Sequence, residues 1–169
     1  MKKTEITHQK ILTIAEKLFT THQLNKVTVE QISKLSHINR STFYRHFPSY
    51  EDLIIEIVRK KIAINNKSSN NDPYSEFLAI LKIIEDNFLL FQHIIVQLDQ
   101  FHYPFQQLLN ERLHEIKLTS STNIDINNVA DTELFYNVMI AIFSSWLLSP
   151  ETINKQYIEN FVAKHFFNS

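Results

Sequence analysis

Between His37 and Phe47 the chain reads HINRSTFYRHF. Two arginines, two histidines and three short hydroxyl or amide side chains surround Phe43 and Phe47, four residues apart. These groups form hydrogen bonds to anions and to the edges of flat heterocycles; they are not a nucleophile with its base. At 100° per residue, Phe43 and Phe47 share one helix face, and the opposite face carries Ser41 and Arg45, flanked by Thr42 and Tyr44. Arg45 can donate two bonds to a guanine edge in a major groove, and the Thr42 methyl can touch a thymine methyl. Ser41 and Thr42 can also bond bases or phosphates. Tyr44 and His46 are long enough for phosphate oxygens, which fix position and not sequence. Arg40 and the N–H groups at the helix start suit a phosphate, as does Thr28 at the start of the preceding helix. The plainer alternative is a solvated surface around a small helical core. A bare pattern of this kind leaves the two readings close to even.

Such tips work only if rigid elements hold them. Ile11, Leu12, Ala15, Leu18 and Phe19 follow one face of a first helix. Thr28 with Gln31 three residues on makes a capping box for a second, with Val29, Ile32 and Leu35 expected inside. His37-Ile38-Asn39 is a three-residue break, Asn39 caps the helix carrying Phe43 and Phe47, and Pro48 stops it. Ser49 with Asp52 opens a longer helix with Leu53, Ile54, Ile57 and Val58 inside. Helix, short turn, helix within a basic three-helix unit is the layout of a helix-turn-helix DNA reader. Residues 65–73, NNKSSNNDP, read as a linker. Beyond it the pattern gives helices near 74–91, 92–101, 104–118, 128–148 and 151–166, with Tyr103-Pro104 and Ser149-Pro150 as punctuation. No strand alternation or internal repeat interrupts them. The expected fold is all-α, about nine helices: a three-helix DNA-binding domain over residues 1–48 and a helical domain over 49–169.

Composition narrows the function. Of 169 residues none is cysteine and none is glycine. That removes disulfides, thiolate metal sites and glycine-rich phosphate loops, and it leaves turns at positive φ to Asn, His or Asp. No signal peptide is expected, since no apolar segment follows the first lysines. The longest apolar run, Val138 to Leu148, is too short for a bilayer, so a cytoplasmic protein without a membrane span is expected. Residues 1–61 carry eleven Lys or Arg against six Asp or Glu, whereas the remainder carries six against twelve. A basic front suggests a polyanionic partner, although solubility alone could produce the same split. His114-Glu115 lacks the second histidine of a zinc helix, Ser144-Ser145 lacks a glycine elbow, and His93, His102 and His114 fit no standard metal spacing. No enzyme activity, cofactor or metal is expected. A helical enzyme or carrier that keeps a helix-turn-helix remains a rival.

The run TVEQISKLSHINRSTFYRHFPSYEDL, residues 28–53, resembles the DNA-binding unit of TetR-type transcriptional repressors, T-V-x-x-I-A-x-x-A-G-V-S-x-G-T-L-Y-x-H-F-x-x-K-E-x-L. Thr28, Val29, Ile32, Thr42, Tyr44, His46, Phe47, Glu51 and Leu53 match it. The two pattern glycines are His37 and Ser41 here, so the turn is expected to carry strain. The phosphate-binding lysine is Tyr50, which keeps one hydrogen-bond donor without a cation and should make binding weaker or less salt-dependent. The resemblance implies a homodimer through helices 128–148 and 151–166, binding a palindromic operator. The stripes Val138, Ile142, Trp146, Leu147 and Ile158, Phe161, Val162, Phe166 would meet the partner; alternatively they close the monomer core. It also implies a small-molecule inducer site, with Phe88, Phe91, Phe101, Tyr103, Phe105, Tyr136 and Phe143 as candidate walls and His93, Gln97 and His102 as polar groups. Aromatics at this spacing are more often core. The alternative is an activator or adaptor controlled by a protein partner.

Overall fold

The computed structural model describes residues 3–64, 73–96 and 128–167. Eight α-helices make up these residues, and no strand occurs among them. The predicted helix near 104–118 lies outside the described residues.

α1 (Lys3–Phe19) buries Ile11, Leu12, Ala15 and Phe19, the face its spacing predicts. A 3-10 turn (Leu24–Lys26) leads to α2 (Val29–Ser36). The predicted capping box is formed: the Gln31 N–H donates to Thr28 Oγ1 at 3.2 Å, and the Thr28 N–H donates to Gln31 Oε1 at 2.9 Å. The inner face of α2 differs from expectation. Ile32, Ser33 and Ser36 are buried, whereas Leu35 is 51% exposed. Positions 29, 32, 33 and 36 form one stripe at helical spacing, and Leu35 falls beside it. Choosing by hydrophobicity overrode phase there.

His37 ends α2 in the left-handed conformation, φ 56° and ψ 45°. Its N–H donates to Lys34 O at 3.1 Å, and that of Ile38 to Ser33 O at 3.0 Å. This pair of bonds is a Schellman motif, usually built on glycine. Asn39 then caps α3 (Arg40–His46), accepting the Thr42 N–H at 2.7 Å. α4 (Tyr50–Ile64) opens on the predicted box, with Ser49 N–H and Asp52 N–H each donating to the other side chain at 3.0 Å.

α5 (Pro73–Asp86) and α6 (Phe88–Ile95) replace the predicted helices 74–91 and 92–101. Asn87 makes the break, its side-chain amide donating to Ile83 O at 2.8 Å. Asparagine competes in this way with the backbone ladder. α7 (Val129–Leu148) and α8 (Lys155–Val162) follow, the latter capped by Asn154 and running into a π turn (Ala163–Phe167). The expected start of α8 at 151 falls instead in a turn in which Thr152 and Ile153 donate to Ser149 O.

Two apolar cores result. The first joins α1 to α4 with Leu90 and Ile94 of α6. The second joins α5, α7 and α8 through Phe77, Leu81, Phe143, Trp146, Ile158 and Val162. α6 bridges them with consecutive residues. Gln92 Nε2 donates to Leu147 O at 2.8 Å, and His93 Nδ1 pairs with Phe19 O at 2.9 Å. No helix among the described residues is long and apolar enough to cross a membrane.

Candidate nucleic-acid interface

α3 has only seven residues, too few to persist alone, so its attitude is set by what it packs against. Phe43 and Phe47 are 0% and 1% exposed and lie 5.8 Å apart by ring centroid in the first core. Burying side chains of this size is worth about 1.5–3 kcal/mol each. Ser41 and Arg45 are exposed on the other side, as the helical phase predicts. The anchors and the hydrogen-bonding tips therefore occupy opposite faces.

The tips are linked to one another. Ser41 Oγ donates to Asn39 Oδ1 at 2.8 Å, and one guanidinium nitrogen of Arg45 donates to Thr42 Oγ1 at 3.0 Å. That bond leaves four of the five guanidinium N–H groups for other partners. Tyr44 is exposed, its ring edge-on to Phe43 at 5.4 Å. Arg40 is exposed at the start of α3. The Thr28 hydroxyl is committed to its cap, so only its remaining lone pair and the N-terminus of α2 face outward. Tyr50 is partly buried, edge-on to Phe19 at 5.7 Å. Burial, then the carboxylate of Glu51, pushes its hydroxyl far above the ordinary range.

Sequence reading passed over His8. It lies on the same stripe of α1 as Leu12, Ala15 and Phe19, and that phase alone would have drawn it inward. Its ring stacks on Phe47 at 4.6 Å and lies 5.6 Å from His46. Its Nε2 bonds to Glu56 Oε1 of α4 at 2.6 Å. His46 is half-buried. Burial first, then His8 and Arg45, hold its imidazole below the ordinary value of 6.5.

The candidate inducer residues are placed as packing groups where they are described. Phe88 meets Trp146 edge-on at 5.5 Å, Phe143 stacks on Phe77 at 6.0 Å, and Phe91 touches both cores. The His93 ring is held by Phe19 O. Gln97, Phe101, His102, Tyr103, Phe105 and the side chain of Tyr136 lie outside the described residues. An apolar groove of about 230 Å³ does open between α7 and α8, lined by Ile142, Ile153, Tyr157 and Phe161 among others.

Residues 11–57, which contain α2, α3 and their exposed hydrogen-bonding side chains, match the family model described as bacterial regulatory proteins, tetR family. That match is to this front segment of the chain. Over 107 residues it is 29% identical to the HTH-type dhaKLM operon transcriptional activator DhaS of Lactococcus lactis, covering 62% of this chain and 57% of that one. Over 120 residues it is 27% identical to the HTH-type transcriptional regulator QacR of Staphylococcus aureus, covering 71% and 61%. The match thus spans about three-fifths of each of these relatives. A TetR transcriptional regulator from Rhodococcus sp. RHA1 superposes with a TM-score of 0.64 at 16% identity, over 94% of this chain and 93% of that one. At that identity the likeness concerns the fold alone.

Proposed function

We propose that the protein is a transcriptional regulator, a repressor that binds a palindromic operator as a homodimer in the cytoplasm and is released by a small-molecule inducer. The observation that carries this reading is the two-sided α3. Phe43 and Phe47 fix it, while Arg45, steadied by Thr42, is presented with free donors. Arg45 reads a base; Ser41 and Thr42 bond bases or phosphates. Arg40, Tyr44, His46, Tyr50 and the Thr28 helix end hold phosphates. Residues 1–48 carry this surface, and residues 49–169 dimerise and sense the inducer.

The dimer face is the outward side of α7 and α8. Trp146, Leu147, Ile158 and Val162 close the monomer core, but Tyr157, Phe161 and Phe166 remain exposed as a neighbouring aromatic series. So the apolar stripes divide: part is core and part is available to a second copy. Two such subunits would set their α3 helices about one DNA turn apart, roughly 34 Å.

A second reading is an activator controlled by a protein partner. Two observations favour it: Phe88, Phe91 and Phe143 are used in packing, and the relative DhaS is an operon activator. Titration of the DNA upstream of its own gene at two salt concentrations, against a scrambled duplex, tests the DNA reading. Tight, salt-sensitive, selective binding by two subunits is expected; absence of binding to any duplex overturns it. In the same assay Arg45→Ala should cost about 1–3 kcal/mol on the operator. An equal loss on scrambled DNA would refute its base-reading role.

A further inference from the structure

Three helices meet beneath the foot of α3 in a small titratable cluster. His8 comes from α1, His46 from the last turn of α3 and Glu56 from α4. His8 is clamped between the Glu56 carboxylate at 2.6 Å and the Phe47 ring at 4.6 Å, so it cannot swing away from His46, 5.6 Å distant. The charged or titratable groups acting on His46 among the described residues are His8 from α1 and Arg45 along its own helix, and Glu56 of α4 bonds His8. α2 contributes Ile32, Ser33 and Ser36 to this core and no charge.

We propose that His8, Glu56 and His46 form a proton-linked contact, in which docking of the α3 foot on a DNA phosphate is coupled to uptake of one proton by His46. This rests on the DNA-binding reading above. In the free protein, burial, His8 and Arg45 all favour the neutral imidazole. A phosphate oxygen at the exposed side of the ring favours the imidazolium instead, because an opposite charge within hydrogen-bond reach stabilises the charged form. The proton comes from solvent and adds to the ring nitrogen that then donates to the phosphate. Between the free and bound pKa values, binding takes up a proton, so affinity rises as pH falls, by up to about tenfold per pH unit. His8 is a positioning residue here. Its nearness disfavours the imidazolium of His46, and Glu56 holds it there by a hydrogen bond, so the pair sets the pH at which the contact engages.

The test is operator affinity by fluorescence anisotropy from about pH 5.5 to 8 at fixed salt, the window in which histidines titrate. The probe is the duplex from upstream of the protein's own gene. Calorimetry in buffers of different ionisation enthalpy counts the protons. For the wild type we expect affinity to rise toward acid with close to one proton taken up. His46→Gln should bind with an affinity that no longer follows pH. His8→Gln should move the rise to higher pH, which a purely structural role for His8 would not do. Selective binding that is flat with pH and releases no buffer-dependent heat overturns the proposal while leaving the DNA-binding reading intact. A pH dependence that persists in His46→Gln also overturns it. Absence of binding to any duplex removes both readings together. If His46→Gln does not fold, the wild-type proton count and the direction of the His8→Gln shift decide.

Discussion

Replacing His37 with glycine should stabilise the protein. His37 holds φ 56° and ψ 45° at the end of α2, in a chain with no glycine to take that position. The left-handed conformation costs an L-residue about 1–2 kcal/mol through contact of Cβ with the following carbonyl. Glycine removes that contact but gives up about 0.4–1 kcal/mol through the greater freedom of the unfolded chain. The balance is a gain of roughly 0.5–1 kcal/mol, or about 1–4 °C in Tm for a chain of this size. The bonds from His37 N–H to Lys34 O and from Ile38 N–H to Ser33 O are backbone bonds and survive the change. His37→Val should act in the opposite direction, by about 1–2 kcal/mol or more, because a branched Cβ is the least tolerant of positive φ. Far-UV circular dichroism melts and urea titrations with an unchanged m-value would measure both. If His37→Gly melts at or below the wild type while His37→Val melts no lower, the strain argument is wrong.

Other outcomes follow from the same geometry. Ser33 and Ser36 have buried hydroxyls without a partner, so Ser33→Ala and Ser36→Ala should each raise stability by about 1 kcal/mol in urea titration; a loss would mean that the hydroxyls are satisfied in solution. Phe161→Glu, on the exposed aromatic series of α8, should shift sedimentation from dimer to monomer with little change in helicity; an unchanged dimer would move the interface elsewhere. His46 is held below its ordinary 6.5 in the free protein, so the unfolded chain binds the extra proton first. Stability should therefore fall as pH drops below 6.5, until His46 itself protonates, and His46→Gln should show less of this loss; an identical acid profile would contradict the burial of the ring.

The front of the molecule was legible because its signals are local. The capping boxes at Thr28 and Ser49, the Asn39 cap and the His37 turn each lie within four residues of chain, and each is formed as read. Phase also placed Phe43 and Phe47 against Ser41 and Arg45 correctly. Sequence reasoning failed where one helix face had to be chosen by tertiary fit. Hydrophobicity alone points Leu35 inward, although the stripe through Ile32, Ser33 and Ser36 excludes it. The break at Asn87 was missed because its cause, a side chain bonding back to Ile83 O, competes silently with a helix-favouring pattern. His8 was overlooked for the opposite reason: a polar residue on an apolar stripe looks like noise until Glu56 and Phe47, roughly forty to fifty positions away, are seen beside it. In the back half, caps did not reveal that α6 ties together two cores, since that is a property of Gln92 and His93 facing different neighbours.

The shortness of α3 has an evolutionary corollary. The helix and its cap divide into residues that keep it in place and residues that project from it, with Phe43 and the capping Phe47 on one side and Ser41 and Arg45 on the other. Mutations in the second group leave the first core untouched, so they are close to neutral for folding. A duplicated copy of the gene can therefore wander through alternative side chains at these positions and acquire a different target without first crossing a valley of unfolded intermediates.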